Sequence, residues 1–598
     1  MFGETTAGNG EKASESMFFV ARLLTAVVQA IALYLLTDVA TPPRSWPATD
    51  PRFFVPLLLV STYVPLLILL GLGQIRTRPL VIWAALGAAI VVGLGYHDAA
   101  RGRVAISVTE EVFWPSYRLW LALSASCFIA HVLVVDSIVE QRLIPPYPRH
   151  FDTAWKQGVQ TVLALVFVGV FWGVLHLGAN LFKLVDIDFF QRLIGHRWFA
   201  YPATTLALAV SIHVTDVQPS LIRGARSVAL TLLSWLLPLL AAIVLGFLGS
   251  LPFISLAPLW RTHFATALLL TVAGSLVFLI NSCYQDGTSE QATSKIKRLA
   301  GTLGSIELIP LAGLAVWALA LRVEQYGWTV ERIVAAAVIV VASCYAIGYA
   351  SAVVRAPVWL KRLEITNFVT AYVFLALVLA LFSPIADPAR LMVANQVARL
   401  KSGAVRPEKF DFSALKFDGA RWGAAALADL SRSKDSPDAA AIATRAAQAL
   451  ALASRQGATA GELAERVAVY PAGRTLPASF HDANSGPIAG SAMPICLLTA
   501  LRKCIARFVS LRPGEAEAIL FLDSFVGYIF EQDAAGQWRK TGQLTGAINC
   551  ELFRQGVANG EFRLESHPWP DLVLGDQRLG ISPPPPYACQ PFPVKPPP

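Results

Sequence analysis

A chain of 598 residues with 55% hydrophobic and only 15% charged side chains has a mean hydropathy of +0.54, against about 25% charged residues in an average soluble chain. The charge deficit lies before about residue 383 and excludes a water-soluble globule for that part, while the rest has soluble composition. The net charge of +9 sits mainly in short loops between apolar runs, with no basic stripe interleaved with aromatics, so it points to membrane topology and anionic head groups rather than to nucleic acid.

A membrane-crossing helix needs about 20 mostly apolar residues. Eleven such runs are expected, at about 17–39, 53–73, 79–96, 114–136, 157–181, 198–216, 227–249, 263–284, 303–322, 332–354 and 364–383. The sixth is the weakest, being short and interrupted by Pro202 and His213. The first is expected to be a retained helix rather than a cleaved leader: it is too long for a leader's apolar region, only Lys12 precedes it as a cation, and Arg22 interrupts it.

Loop charge sets the expected orientation. With residues 1–16 cytoplasmic, the inner loops carry thirteen cations (Arg76, Arg78, Arg142, Arg149, Lys156, Arg223, Arg226, Lys295, Lys297, Arg298, Arg355, Lys361 and Arg362). The outer loops carry ten: Arg44, Arg52, Arg101, Arg103, Lys183, Arg192, Arg197, Arg261, Arg322 and Arg332. An odd number of crossings then places the soluble tail outside the cytoplasm, in the periplasm of a bacterium whose inner membrane holds residues 17–383.

The tail divides by periodicity. Residues 384–470 are Ala-rich with helical spacing, 471–490 form a linker rich in Pro, Gly, Ser and Asn, 491–582 a small β-rich domain, and 583–598 an extended proline-rich end. Strands are expected at Cys504 to Leu511, Ala518 to Leu522 and Phe525 to Glu531, with a hairpin turn at 533–536 leading into Trp538 to Thr541. The expected fold is therefore an all-α polytopic membrane bundle with a C-terminal soluble α+β extracytoplasmic domain. Cys127, Cys283 and Cys344 fall in apolar runs and read as small core residues. The other four, Cys496, Cys504, Cys550 and Cys589, lie in the tail. An even count in an oxidising compartment suggests two disulfides with three possible pairings, and the wide spacing without a Cys-x-x-Cys pair argues against zinc.

Ionisable residues inside spans are costly and default to a functional hypothesis. His131 and Asp136 close the fourth span, His213 and Asp216 close the sixth on one helix face, Asn281 and Asp286 close the eighth, and Glu307 lies in the ninth, where it could pair with Arg22 of the first. Each descending helix opens near a tryptophan (Trp114, Trp198 or Trp260) and ends in His or Asn followed by Asp, a weak internal repeat. An aspartate at a helix C-terminus opposes the macrodipole and asks for a compensating cation. The bland alternative is that these residues, with His97, Asp98 and His176, sit in the head-group zone as structural hydrogen-bonding groups.

No phosphate-binding lysine loop, dinucleotide glycine motif, zinc-protease motif or nucleophile elbow is present. His481, Asp482 and Cys496 do not make a convincing Cys–His pair, because disulfide pairing competes for Cys496. No cofactor and no metal is expected.

The segments Tyr96-His97-Asp98-Ala99-Ala100-Arg101-Gly102, Trp114-Pro115-Ser116, Tyr147-Pro148-Arg149-His150-Phe151-Asp152 with Ala154-Trp155-Lys156, His213-Val214-Thr215-Asp216-Val217, Leu251-Pro252-Phe253 and Tyr284-Gln285-Asp286-Gly287 resemble the bacterial membrane proteins grouped as domain of unknown function 4153. A looser echo runs through Phe417-Asp418-Gly419-Ala420-Arg421. The resemblance covers about a third of the chain, omits the β-like part after residue 490, and implies a multi-pass inner-membrane protein without implying an activity.

Three functions follow as expectations. The first is a non-catalytic envelope or transport-associated component that contacts the lipid bilayer and presents a periplasmic domain to an envelope protein partner. The second is a secondary transporter with an intramembrane polar site at His131, Asp136, His213, Asp216, Asp286 and Glu307. The third is a membrane-embedded enzyme acting on a lipid-linked or envelope substrate through outer-loop residues His97, Asp98 and Arg101, with Asp186 and Asp188.

Overall fold

The computed structural model describes residues 4–41, 43–102, 114–253, 265–287, 294–355, 359–433, 438–451, 467–471, 473–477, 504–511, 516–523, 526–532, 536, 538–544, 551–562, 572–574 and 577–579. Two compact units divide the chain, Met1–Ala451 and Leu452–Pro598.

The first unit is helical. Its elements are α1 (Glu4–Asp38), α2 (Pro51–Gly71), α3 (Thr77–Ala100), α4 (Tyr117–Glu140), α5 (Tyr147–Lys183), α6 (Phe189–Gly195), α7 (Arg197–Val217), α8 (Pro219–Ser250), α9 (Ala265–Tyr284), α10 (Lys295–Tyr326), α11 (Val330–Arg355) and α12 (Leu363–Leu381). Four shorter helices follow: α13 (Pro388–Lys401), α14 (Phe412–Asp418), α15 (Ala420–Leu430) and α16 (Ala439–Ala451). Side chains mark the helix starts. Asp50 caps α2 ahead of Pro51, Ser116 caps α4, Ser294 caps α10 and Asp387 caps α13 ahead of Pro388.

Among the described residues, ten of these helices are long and apolar enough to cross a membrane: α1 from Ser16, α2 to α5, α8 from Ile222, and α9 to α12. The helix over the expected sixth run, α7, forms with 21 residues but is too polar to qualify by that measure. The outer surface agrees with a lipid solvent. Along α5, Val162, Val166, Val170, Val174 and Leu177 all point outward and are more than half exposed, a stripe that water would not tolerate. The interior is close-packed. Gly348 lets α11 approach α12 so tightly that a Cβ there would lie 2.2 Å from Thr366 Cγ2.

The four short helices bury Met392, Leu400, Leu415, Leu427 and Ala446 in a core of their own, to which Val330 and Ile333 of α11 also contribute. They therefore form a cap continuous with one end of the bundle.

The second unit is a five-stranded sheet in the order β1 (Val467–Tyr470), β2 (Cys504–Val509), β3 (Ala518–Leu522), β4 (Gly527–Gln532) and β5 (Trp538–Leu544). Strand β1 runs parallel to β2, and the other pairings are antiparallel, with a register shift at Ile529/Phe530. The sheet thus takes its first strand from ahead of the Pro/Gly/Ser/Asn-rich stretch. The run Ala518 to Leu522 is apolar without alternation because β3 is buried on both faces. Ile519 and Phe521 face one cluster, while Leu520 and Leu522 lie under Val557 of a helix, α17 (Glu551–Asn559). A short hairpin pairs β6 (Leu572–Leu574) with β7 (Gln577–Leu579). The end of the chain, 583–598, and most of 471–490 lie outside the described residues.

Candidate functional site

At the last turn of α3 the side chains of His97, Asp98 and Arg101 converge with two groups from elsewhere in the chain. His97 and Arg101 are four apart and share a helix face, and Asp98 is three before Arg101. Both oxygens of Asp98 are engaged: Ser116 donates from its backbone N–H (2.9 Å) and its Oγ (2.9 Å), and Arg101 Nη2 lies 3.0 Å away. His97 Nε2 donates to Asp387 Oδ2 at 2.8 Å, and Arg101 Nη1 stands 3.6 Å from the same oxygen. The other oxygen of Asp387 caps α13, accepting from Ala389 N–H at 2.8 Å. The backbone adds a further tie, because Arg421 N–H donates to Arg101 O at 2.9 Å, and the Trp422 ring lies 6.3 Å from that of His97.

Asp98 is 2% exposed and Asp387 fully buried. Burial opposes ionisation of Asp387, but the His97 hydrogen bond, the Arg101 charge and the Ala389 N–H outweigh it and hold the carboxyl below the usual carboxylate range. The expected outer-loop trio is thus drawn together. Asp186 and Asp188 are exposed beside α6 and take no part in it. The arrangement leaves no carboxylate oxygen open toward a substrate. It fastens the end of α3 and the start of α4 to the start of the helical cap.

The opposite end of the bundle shows how the helix-terminal aspartates find their cations. Asp216 Oδ2 accepts from Arg22 Nη2 at 2.8 Å and its Oδ1 accepts from Lys156 Nζ at 2.9 Å. Arg22, only 2% exposed, also donates to Leu72 O at 2.8 Å and lies 3.0 Å from His213 Nδ1. Arg22 therefore pairs with His213 and Asp216, not with Glu307. Asp136 is fully buried, accepts from Thr153 Oγ1 at 2.7 Å and from His150 Nδ1 at 3.0 Å, and has Arg149 at 3.5 Å. Thr153 and Lys156, three apart on α5, thus serve two different aspartates.

The remaining candidates are placed separately. His131 accepts from Trp83 Nε1 at 3.1 Å. Asp286 is half-buried in the turn after α9. Glu307 is 3% exposed on α10, and neither of its oxygens has a hydrogen-bond partner among the described residues.

A closed network of neutral groups joins four helices. Tyr147 Oη donates to Asn281 Oδ1 (3.2 Å), Asn281 Nδ2 to Tyr349 Oη (2.7 Å), Tyr349 Oη to Asn367 Oδ1 (2.7 Å), and Asn367 Nδ2 to Asn281 Oδ1 (2.7 Å). Of these residues, Tyr349 and Asn367 carry no sequence signal beyond being polar in an apolar run. The cap residue Asp387 had one, an Asp-Pro pair just ahead of a helical pattern.

Cys127, Cys283 and Cys344 are free thiols in the spans. Cys504 is fully buried on β2, and Cys496, Cys550 and Cys589 lie outside the described residues. Among the described residues, no group of three or more His, Cys, Asp or Glu side chains is placed to hold a metal ion. A cavity of about 720 Å³ lies between α3, α4 and α12, lined mostly by apolar groups and by none of the candidate residues.

A family model described as "Domain of unknown function (DUF4153)" matches residues 64–421. No curated protein and no solved structure matches the chain. The matched stretch holds His97, Asp98, Arg101, Asp136, Asp216 and Asp387. It ends at Arg421, the residue whose N–H bonds to Arg101, and it leaves out Arg22 and the sheet.

Proposed function

Because the chain belongs to the DUF4153 family, whose description names no reaction, we propose that it is a non-catalytic envelope component of the bacterial inner membrane, a rigid helical platform that presents residues 384–598 to a protein partner in the periplasm. One observation carries this reading: the buried cluster of His97, Asp98, Arg101 and Asp387, which fastens the helical cap to the membrane bundle. Its charges are spent on one another, as a fastening requires and a catalytic centre does not.

The orientation rests on α7. Arg197 at its start donates to Thr37 O at 3.0 Å, and His213 and Asp216 near its end meet Arg22. The two helices therefore run antiparallel over Arg22 to Thr37, about 22 Å at 1.5 Å per residue, most of the hydrocarbon depth of about 30 Å. If α1 crosses, α7 crosses beside it and the crossings number eleven. The cations in and beside the turns joining α2 to α3, α4 to α5 and α7 to α8, namely Arg76, Arg78, Arg142, Arg149, Lys156, Arg223 and Arg226, then favour a cytoplasmic start and a periplasmic tail. In that compartment Cys504 would be oxidised with one of Cys496, Cys550 or Cys589.

The test is a reporter enzyme that is active only outside the cytoplasm, fused after Pro598, together with deletion of residues 384–598. An active reporter and a deletion phenotype equal to that of the null strain are expected. A silent reporter, or a deletion strain that behaves as wild type, overturns the proposal. A second reading, secondary transport, is favoured by Glu307, a buried acid inside a span whose oxygens find no partner among the described residues. It requires that Glu307→Gln reproduce the null phenotype while the protein stays folded.

A further inference from the structure

The cavity between α3 and α12 is a groove on the outer surface of the bundle. Its floor is α4, and Leu67 of α2 closes its back. From Leu123 to Gln141 the floor follows 18 residue-to-residue rises, about 27 Å of helix, so the groove runs through nearly the whole hydrocarbon depth. Val91, Leu94, Leu133, Leu375 and Val378 make its walls apolar. Ile90, Tyr372 and Leu379 along it are each more than a third exposed, so it opens sideways to whatever surrounds the bundle.

The lining changes character at one end, where α3 begins and α4 stops. Ser137, Gln141, Arg142 and Tyr372 line it there. Tyr372 Oη donates to Leu143 O at 3.0 Å and so fixes this rim. Pro79 lines the same end and directly follows Arg78. Arg78 and Arg142 are both exposed, and neither makes an ion pair among the described residues. Among the described residues no acidic side chain lines the groove, and Glu140, the nearest acid along α4, is turned toward Arg149 at 3.4 Å.

We propose that this groove is a binding site for an anionic phospholipid, with an acyl chain lying along α4 and the phosphate between Arg78 and Arg142. The volume lies within the range of about 300–1,000 Å³ typical of ligand pockets. A single leaflet's acyl chain fills about half the groove's depth. A zwitterionic lipid satisfies the apolar walls equally well but brings its own cation to two unpaired guanidinium groups, so the arginines select for net negative charge. The inference needs only that the bundle spans a membrane, and it stands or falls apart from the role of the tail.

The test is native mass spectrometry of the full chain in detergent, with phosphatidylglycerol or phosphatidylcholine added at equal concentration. Phosphatidylglycerol is expected to be retained preferentially. The Arg78→Ala/Arg142→Ala variant, whose changes are exposed and leave the core intact, should bind it about 30-fold more weakly, at about tenfold or less per lost cation. Ala130→Trp, which fills the groove from its floor, should lose both lipids, with folding checked by an unchanged elution volume. Equal retention of the two lipids by the wild type, or an arginine-free variant that keeps its preference, overturns the proposal. So does a dimer that Ala130→Trp dissolves, which would make a second copy the occupant.

Discussion

Replacing Asp387 with asparagine isolates the charge that holds the helical cap to the bundle. The side chain is fully buried, with His97 at 2.8 Å and Arg101 at 3.6 Å on one oxygen. Asparagine keeps the shape and the oxygen that caps α13 but leaves Arg101 facing a neutral group. Removing one partner of a buried pair costs about 3–5 kcal/mol. Asp387→Ala also removes the cap to Ala389 N–H, about 1 kcal/mol more, for a total of about 4–6 kcal/mol. Hydrogen exchange reads this directly, because amides in α13 open locally when the cap detaches. Exchange there should rise at least 100-fold in the asparagine variant, at about tenfold per 1.4 kcal/mol, while amides in α9 and α10 stay as they were. The pH dependence has a definite sign. The folded carboxyl ionises below its ordinary value of 3.8, so its contribution is fully present above about pH 4 and is lost as pH falls through the lower folded value. Wild-type α13 protection should therefore hold steady from pH 8 to pH 5 and fall only in stronger acid. An α13 exchange rate that changes less than tenfold in Asp387→Asn would refute the idea that this pair fastens the cap.

Two further outcomes follow from the bundle itself. Tyr349→Phe strips two hydrogen bonds from the ring of Tyr147, Asn281 and Asn367, and at about 0.6 kcal/mol for an average intramembrane bond, rising to about 1.7, it should cost about 1–3 kcal/mol in a denaturation series in detergent; an unchanged midpoint would show the ring to be energetically idle. Arg22→Leu should cost about 3–5 kcal/mol, because it leaves Asp216 with Lys156 alone and Leu72 O unpaired, and Arg22→Leu combined with Asp216→Leu should recover much of the loss. Equal instability of the single and double variants would remove the ion pair as the cause.

The spans were legible in sequence because twenty apolar residues have few uses other than crossing a bilayer, and the run Ala518 to Leu522 announced a strand. The helix α7 was the ambiguous case for a physical reason: it spends its polarity on neighbours, and composition cannot distinguish a polar group that is paired inside a bundle from one that is solvated. The need for a cation beside Asp136 and Asp216 could be argued from the helix dipole alone. Which cation could not, since Arg22 and Asp216 are 194 residues apart and the partner expected for Arg22 was Glu307. His97 and Asp387 are separated by 290 residues, so the cluster at the outer-loop trio depended on knowing which helix end lies beside which. Strand β1 was missed because four residues pairing in parallel with a distant partner carry no local pattern.

The pairing of α1 with α7 also bears on how the chain is made. On the eleven-crossing reading, α7 emerges from the ribosome too polar to partition readily into lipid on its own, since Pro202, His213 and Asp216 interrupt an apolar run of only 21 residues. The first helix is already waiting with an arginine that cancels the aspartate, so insertion of the seventh becomes a cooperative step with a partner synthesised long before. A substitution at residue 22 would then act during biogenesis as well as in the finished protein, by inverting every segment that comes after.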